Sequence, residues 1–201
     1  MRIRNNTDGV VNPVYKGNGR DPLDTNSYRG ITLSSILSKT LELLLLGRFQ
    51  SILSAPEFPH RNQTGFVKKT SCTDAIFSSY EILSRLVRGG DKAYICFFDL
   101  QKAFDTVQYP LLLKRAFDCG INGKAWRILN SWYTEPQCKI QVNGMLSSAI
   151  TLERGVLQGS VLSPTLFLMV MDPLLKELEF HSVGPCLRDM YCGAFAHADD
   201  V

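Results

Sequence analysis

Asp99 closes an apolar run, Ala93-Tyr94-Ile95-Cys96-Phe97-Phe98, and is followed by Leu100-Gln101-Lys102-Ala103-Phe104-Asp105; about a hundred residues later the chain reads Ala198-Asp199-Asp200-Val201. The first run has the length and composition of a strand buried in a sheet. A second apolar stretch, Met190 to Ala196, delivers the adjacent aspartates. If the two strands lie side by side, three carboxylates converge, and carboxylates that close cannot all stay ionised without a cation among them. The simpler alternative has Asp99 and Asp105 capping the helix that follows and Asp199 and Asp200 serving as turn residues. Either cluster alone fits that alternative.

The elements that would position these groups are readable from periodicity. Between Ser34 and Leu53, Ile36, Leu37, Leu41, Leu44, Leu45, Phe49 and Ile52 recur at helical spacing, with a mild interruption at Gly47. Thr73, with Asp74 behind it, is expected to cap a helix running through Ile76, Tyr80, Leu83 and Val87 to Gly89-Gly90. Tyr109-Pro110 opens a short helix closed by Cys119-Gly120, and Asn122 caps another that carries Trp126, Leu129, Trp132 and Tyr133. Lys139-Ile140-Gln141-Val142 alternates, Asn143-Gly144 is a two-residue turn signal, and Ala149 to Leu152 is expected to form the returning strand of a hairpin after a few further loop residues. Gly155-Val156-Leu157-Gln158-Gly159-Ser160 follows, and Ser163-Pro164 starts a helix with Phe167, Val170, Met171, Leu174, Leu175 and Leu178 on one face. A partner for the last strand is expected after Val201.

Composition sets wider bounds. With 201 residues, 45% hydrophobic and 20% charged, the chain reads as folded, with no internal repeat or low-complexity tract. Its net charge of +3 is unevenly spread: residues 1–90 hold 12 Lys/Arg against 7 Asp/Glu, and residues 91–201 hold 10 against 12. A basic leading part beside an acidic site suits a polyanion and a metal, although ordinary solvated faces give the same asymmetry. The six cysteines lack zinc-site spacing and read as reduced thiols, Cys96 as a small core residue. Arg2, Arg4, Asn5, Asn6 and Asp8 are unlike a secretory leader, and the run from Val161 to Leu175 is broken by Ser163, Pro164 and Asp172, so no membrane span is expected. The setting expected is intracellular, nuclear or cytoplasmic.

Three aspartates on two strands, with a Gln-Gly-Ser turn before an apolar helix, fit two-metal phosphoryl transfer. Magnesium takes a few carboxylates and fills its other positions with water and phosphate oxygens. Paired carboxylates acting as acid and base alone would be the rival chemistry, and they leave the basic part unexplained.

Asp99 with Phe104, Gly155-Val156-x-Gln158-Gly159-Ser160-Val161-Leu162-Ser163-Pro164 and Ala198-Asp199-Asp200 resemble, in order, the palm motifs of reverse transcriptases, above all those of non-long-terminal-repeat retrotransposons. Upstream, Tyr28-Arg29-Gly30-Ile31-Thr32-Leu33-Ser34, Gln63-Thr64-Gly65-Phe66 and Cys72-Thr73-Asp74-Ala75-Ile76 are similar to fingers motifs of the same group. The likeness covers about residues 11–201. It implies an α+β fold: polymerase fingers over residues 1–92 and a palm over residues 93–201, with an antiparallel palm sheet packed on helices and no thumb. It further implies an RNA-directed DNA polymerase working on an RNA template, a DNA primer and dNTPs with two Mg2+ ions, Mn2+ serving in their place.

Carried onto this sequence, the resemblance makes Asp99, Asp199 and Asp200 the catalytic residues and metal ligands, with the Leu100 carbonyl as a further ligand. Lys16, Arg29, Phe104, Gln158 and Gly159 become nucleotide contacts, and Lys68 and Lys69 template contacts. Phe104 would sit beneath the incoming sugar and exclude a 2′-hydroxyl; it would equally serve as a core residue. Three positions depart from the family pattern: His197 in place of an aromatic, Leu157 in place of proline and Val67 in place of arginine. The return strand, primer-gripping segment and thumb of the parent polyprotein are expected beyond Val201, and from that the chain by itself is expected to polymerise weakly or not at all. The alternative function is a catalytically silent, polymerase-derived nucleic-acid-binding module.

Overall fold

A computed structural model of the chain describes residues 9–55, 57–90 and 92–201. Arg2, Arg4, Asn5, Asn6 and Asp8, used above to argue against a leader, lie outside the described residues. In chain order the elements are β1 (Gly9–Tyr15), a 3-10 turn (Thr25–Ser27), β2 (Tyr28–Leu33), α1 (Ile36–Arg48), α2 (Gln50–Leu53), α3 (Cys72–Arg88), α4 (Ala103–Thr106), α5 (Tyr109–Asp118), α6 (Gly123–Trp132), β3 (Gln137–Val142), β4 (Met145–Leu146), β5 (Ile150–Thr151), α7 (Ser163–Phe180), β6 (Cys186–Leu187) and β7 (Met190–Tyr191). They belong to two compact units, each assembled from two stretches of chain. The first comprises the described residues up to Gln50 with Phe104–Phe167; the second comprises Ser51–Ala103 with Leu168–Val201.

The first unit is built on a five-stranded sheet in the order β2-β1-β3-β4, with β5 also pairing β3. The predicted turn is present, but the return begins at once in β4 and resumes in β5 instead of starting at Ala149: β3 turns back through Asn143 (φ 52) and Gly144 (φ 78), a pair of left-handed residues that suits a two-residue turn. β1 and β2 are an antiparallel pair that hydropathy did not signal, because β1 contains Asn12 and Pro13 and β2 contains Arg29 and Gly30. The sheet is not wholly antiparallel, since β1 runs parallel to β3; the long helical connection between β2 and β3 gives the chain room to return in the same direction. Leu112, Ala116, Ile121, Leu129, Leu162, Leu166 and Phe167 form its core. α5 and α6 begin where Pro110 and Asn122 lead one to expect, and the Trp126 indole N–H donates to the Leu113 carbonyl at 3.2 Å.

α1 corrects the sequence reading. Leu45 and Phe49 are buried, but Ile36, Leu37 and Leu44 are exposed, and the residue completing the buried stripe is Glu42 at 1% exposure. A helix reading Leu41-Glu42-Leu43-Leu44-Leu45-Leu46 is apolar nearly all round, so periodicity does not select its inner face.

In the second unit α3 is capped two residues earlier than expected. Ser71 is the cap, and it exchanges hydrogen bonds with Asp74 in a capping box. Of its apolar residues only Ala75 is buried; Ile76, Phe77, Tyr80 and Val87 are exposed. The run Ala93–Phe98 is likewise not a buried strand. Tyr94 is 93% and Phe97 86% exposed, and Cys96 is an exposed thiol. A strand is buried only where neighbours cover it, and among the described residues this run has a single ladder partner, the chain around Asp200–Val201. The stretch Met190–Ala196 is a strand only at Met190–Tyr191, paired with β6, before it continues as a strap-bound extended segment. Among the described residues no helix is long and apolar enough to cross a membrane.

Candidate active site

The Asp-Asp sequence forms the corner of a tight hairpin in the second unit. The His197 N–H donates to the Asp200 carbonyl at 2.8 Å and the Asp200 N–H to the His197 carbonyl at 3.2 Å, leaving Ala198 and Asp199 as the two turn residues. Ala198 is left-handed at φ 61, the backbone that reverses the chain here. Asp200–Val201 therefore lies in the return arm of this hairpin. Phe98 and Val201 exchange two backbone hydrogen bonds, at 2.8 and 3.0 Å, and Asp99 and Asp200 are antiparallel partners in the next register position. Such a non-hydrogen-bonded pair holds its side chains close, with Cβ atoms about 5 Å apart.

Burial pushes the Asp199 carboxyl above the usual carboxylate range. A hydrogen bond from its own backbone opposes that shift, the charges of Asp200 and Asp99 add to it, and His197 opposes it. The three carboxylates thus sense one another, as the sequence required. They do not form a ready-made cage: among the described residues no three carboxylate, imidazole or thiol groups are gathered tightly enough to hold a metal ion. Asp99 and Asp200 are both exposed, so mutual repulsion is free to turn them apart. In donor type the site fits a hard divalent cation, since it offers carboxylate oxygens and a local excess of negative charge. Leu100, the further ligand expected, follows directly on the exposed extended segment.

What holds the turn was not foreseen as a site. Residues His60-Arg61-Asn62-Gln63-Thr64 read as a polar loop, yet His60, Asn62, Gln63 and Thr64 are all buried. Asn62 Nδ2 donates to the Ala194 carbonyl at 2.8 Å, and the Ala196 N–H donates to the Asn62 carbonyl at 2.9 Å. The Thr64 N–H and hydroxyl both donate to the Ala196 carbonyl, at 2.8 and 3.0 Å, and the hydroxyl also lies 3.0 Å from His197 Nδ1. Gln63 and Ala196 form a parallel bridge. The strap is anchored in turn to α7, where the His60 N–H donates to Asp172 Oδ1 at 2.6 Å and His60 Nε2 lies 2.7 Å from Glu179 Oε2. The available signal was the polar run His60-Arg61-Asn62 leading directly into the resemblance motif Gln63-Thr64-Gly65-Phe66.

The candidate nucleotide contacts, Lys16, Arg29, Phe104, Gln158 and Gly159, all lie in the first unit. Arg29 projects from exposed β2, opposite Val14. Lys16 is partly engaged, its Nζ donating to the Asn26 carbonyl at 2.8 Å. The Phe104 ring stacks on Phe167 with centroids 4.6 Å apart, so its core role is real. Gln158 Nε2 donates to Asp105 Oδ1 at 2.8 Å, and the Gln158 carbonyl accepts from the Thr32 N–H at 2.7 Å. Gly159 is left-handed at φ 112, and an added Cβ would meet the Thr32 carbonyl oxygen at 2.7 Å; only glycine lets this turn lie on β2. Lys68 and Lys69 are exposed in the loop before α3, in the second unit.

Glu42 fixes the far side of that turn. Its Oε2 accepts from the Ser160 hydroxyl at 2.8 Å, the Val161 N–H at 2.5 Å and the Leu162 N–H at 3.3 Å, satisfying donors at the start of α7. The charged environment shows nearby: the buried Tyr133 hydroxyl is pushed to high pKa by burial first, then by Tyr109 and Glu42, and Tyr109 is pushed up to about 12, by burial first. Glu42→Ala strands those donors and should lower stability by about 3 kcal/mol in urea unfolding. A variant as stable as the parent would show that the turn holds itself.

A family model described as reverse transcriptase (RNA-dependent DNA polymerase) matches residues 14–201. The RNA-directed DNA polymerase from mobile element jockey of Drosophila funebris is 31% identical over 149 residues, covering 74% of this chain and 16% of that protein. The putative 115 kDa protein of the type-1 retrotransposable element R1DM of Drosophila melanogaster is 29% identical over 94% of this chain and 17% of its own length. The chain therefore spans about a sixth of these relatives. Among solved structures, apo telomerase from Candida tropicalis aligns with 96% of this chain and 38% of its own, with a TM-score of 0.63 at 12% identity, a likeness of fold.

Proposed function

Because this chain belongs to the reverse transcriptase (RNA-dependent DNA polymerase) family, we propose that it is the RNA-directed DNA polymerase domain of a non-long-terminal-repeat retrotransposon, adding dNTPs to a DNA primer on an RNA template. The observation that carries this reading is the pairing of Asp99 with Asp200 beside the Asp199 turn. Asp99, Asp199 and Asp200, with the Leu100 carbonyl, are the groups that would hold two Mg2+ or Mn2+ ions. Such ions supply Lewis acidity to the primer 3′-hydroxyl and charge compensation to the departing pyrophosphate.

The remaining work belongs to side chains that bind and orient. Arg29 offers a planar fork of donors for triphosphate oxygens, and Lys16 a point charge once it releases Asn26. Phe104, fixed by its stack on Phe167, presents a rigid ring suited to excluding a ribose 2′-hydroxyl. Gln158 and Gly159 supply a turn with no side chain at its apex, so that a base or sugar can approach the backbone. Lys68 and Lys69 would neutralise template phosphates. We read residues 1–92 as fingers and 93–201 as palm, and the setting as intracellular, nuclear or cytoplasmic.

Because Asp99 has a single ladder partner among the described residues, extension by this chain is expected to be slow. The test is primer extension on an RNA template with dNTPs and Mg2+. Incorporation that needs the metal and is lost in Asp99→Asn supports the reading. With Asp99 and Asp200 both exposed, one second reading is a silent nucleic-acid-binding module, which template binding indifferent to Mg2+ with no incorporation by the parent chain would select.

A further inference from the structure

Gln63 is 4% exposed and spends both ends of its amide on the catalytic turn. Its Oε1 accepts from the Ala198 N–H at 2.8 Å, and its Nε2 donates to the Ala198 carbonyl at 3.2 Å. Oε1 also accepts from the Gly65 N–H at 2.8 Å, so the amide is tied to its own strap as well as to the turn. Ala198 carries a side chain in a left-handed conformation (φ 61), which costs about 1 kcal/mol or more unless its surroundings impose it. A side-chain amide that reads the N–H and the carbonyl of one residue is what imposes it: rotation of the Ala198 backbone toward a right-handed geometry would swing both groups away from Gln63. Asp199 is the next residue, and its direction follows from the ψ of Ala198.

We propose that Gln63 is a positioning residue that sets the aim of the Asp199 carboxylate by holding the Ala198 backbone from both sides. The inference rests on the reading of Asp199 as a divalent-cation ligand, and it assigns to a buried amide a part in that site that hydropathy alone would give to an exposed loop. The closeness required is strict, because a misplacement of about 1 Å in a reacting group costs on the order of a hundredfold in rate. The strap has no slack with which to substitute: Thr64 and Asn62 hold Ala194 and Ala196, upstream of the turn, and Gln63 alone of the three reaches Ala198.

The experiment compares the parent chain with Gln63→Met, which keeps length and packing without hydrogen bonds, and Gln63→Glu, which keeps the acceptor for the Ala198 N–H. Three quantities are read: amide hydrogen exchange at Ala198 and at Leu129, Mn2+ affinity by electron paramagnetic resonance, and the melting temperature. Expected are at least tenfold faster exchange at Ala198 in Gln63→Met with Leu129 unchanged, Mn2+ binding weakened about tenfold, and slow exchange at Ala198 restored in Gln63→Glu. If Gln63→Met leaves Mn2+ affinity intact while Asp199→Asn weakens it, the positioning role is overturned and the metal reading stands. If Asp199→Asn itself leaves Mn2+ affinity unchanged, the metal reading falls instead. Should Gln63→Met fail to fold, exchange at Ala198 in Gln63→Glu that is as fast as at an exposed amide overturns the inference.

Discussion

Asp199→Asn should abolish primer extension and, at the same time, raise the melting temperature at pH 7. The first effect follows from the proposed chemistry: loss of one charged ligand at a site that stabilises transition-state charge lowers the rate by about a hundredfold or more. The second follows from the direction of the Asp199 shift. Burial and the neighbouring Asp200 and Asp99 charges hold its folded value above the ordinary 3.8. Between those two values the folded state keeps a proton that the unfolded chain has shed, so stability falls as pH rises through that window and the whole deficit is present above it. Asparagine removes the deficit. The advantage of Asp199→Asn is therefore complete above the raised value and shrinks as pH is lowered through it toward 3.8. Added Mg2+ should raise the melting temperature of the parent more than that of the variant, because only a ligand of the folded state stabilises it. Equal melting at every pH would mean that the carboxylate carries no charge strain; retained synthesis would remove Asp199 from the reaction.

The contrast between these carboxylates and their supports explains what the sequence could and could not disclose. Helix starts at Ser163-Pro164 and Tyr109-Pro110 and the turn at Asn143-Gly144 are decided by local backbone chemistry, and all three stand where local rules put them. The candidate aspartates stand out for another reason: charges that end apolar runs are unusual enough to need an explanation. The supports obey neither rule. Glu42 lies within a run of leucines and Gln63 within a polar loop, and each is buried only because a distant segment presents backbone donors to it, 119 residues away at Val161 and 135 residues away at Ala198. Nothing within a helical turn or a strand's length of either residue reports that demand. The run Ala93–Phe98 fails in the opposite sense: its composition asks for cover on both faces, but cover is a property of neighbours, and it has a single ladder partner among the described residues.

Gly65→Ala should strongly damage the second unit. A Cβ at Gly65 would stand 2.0 Å from the Ala198 nitrogen, 2.6 Å from its Cα and 2.8 Å from its Cβ. None of these is the end of a flexible side chain. The added methyl must displace the turn backbone, or the strap must withdraw and break the bonds from Gln63 and Thr64 that lie on either side of it. Overpacking of a tight site costs about 1–3 kcal/mol where neighbours adjust; here they are fixed, and a loss of about 3 kcal/mol or more is expected in urea unfolding. Synthesis should fall with it even at temperatures where the chain remains folded, since the displaced atoms carry Asp199. Adding Ala198→Gly relieves the 2.8 Å contact and eases the left-handed backbone but leaves the 2.0 Å contact with the nitrogen, so the double variant should recover only part of the lost stability. Full recovery would trace the damage to the Ala198 methyl. A Gly65→Ala chain with parental stability and exchange at Ala198 would show that the strap and the turn are not packed as closely as their backbones imply.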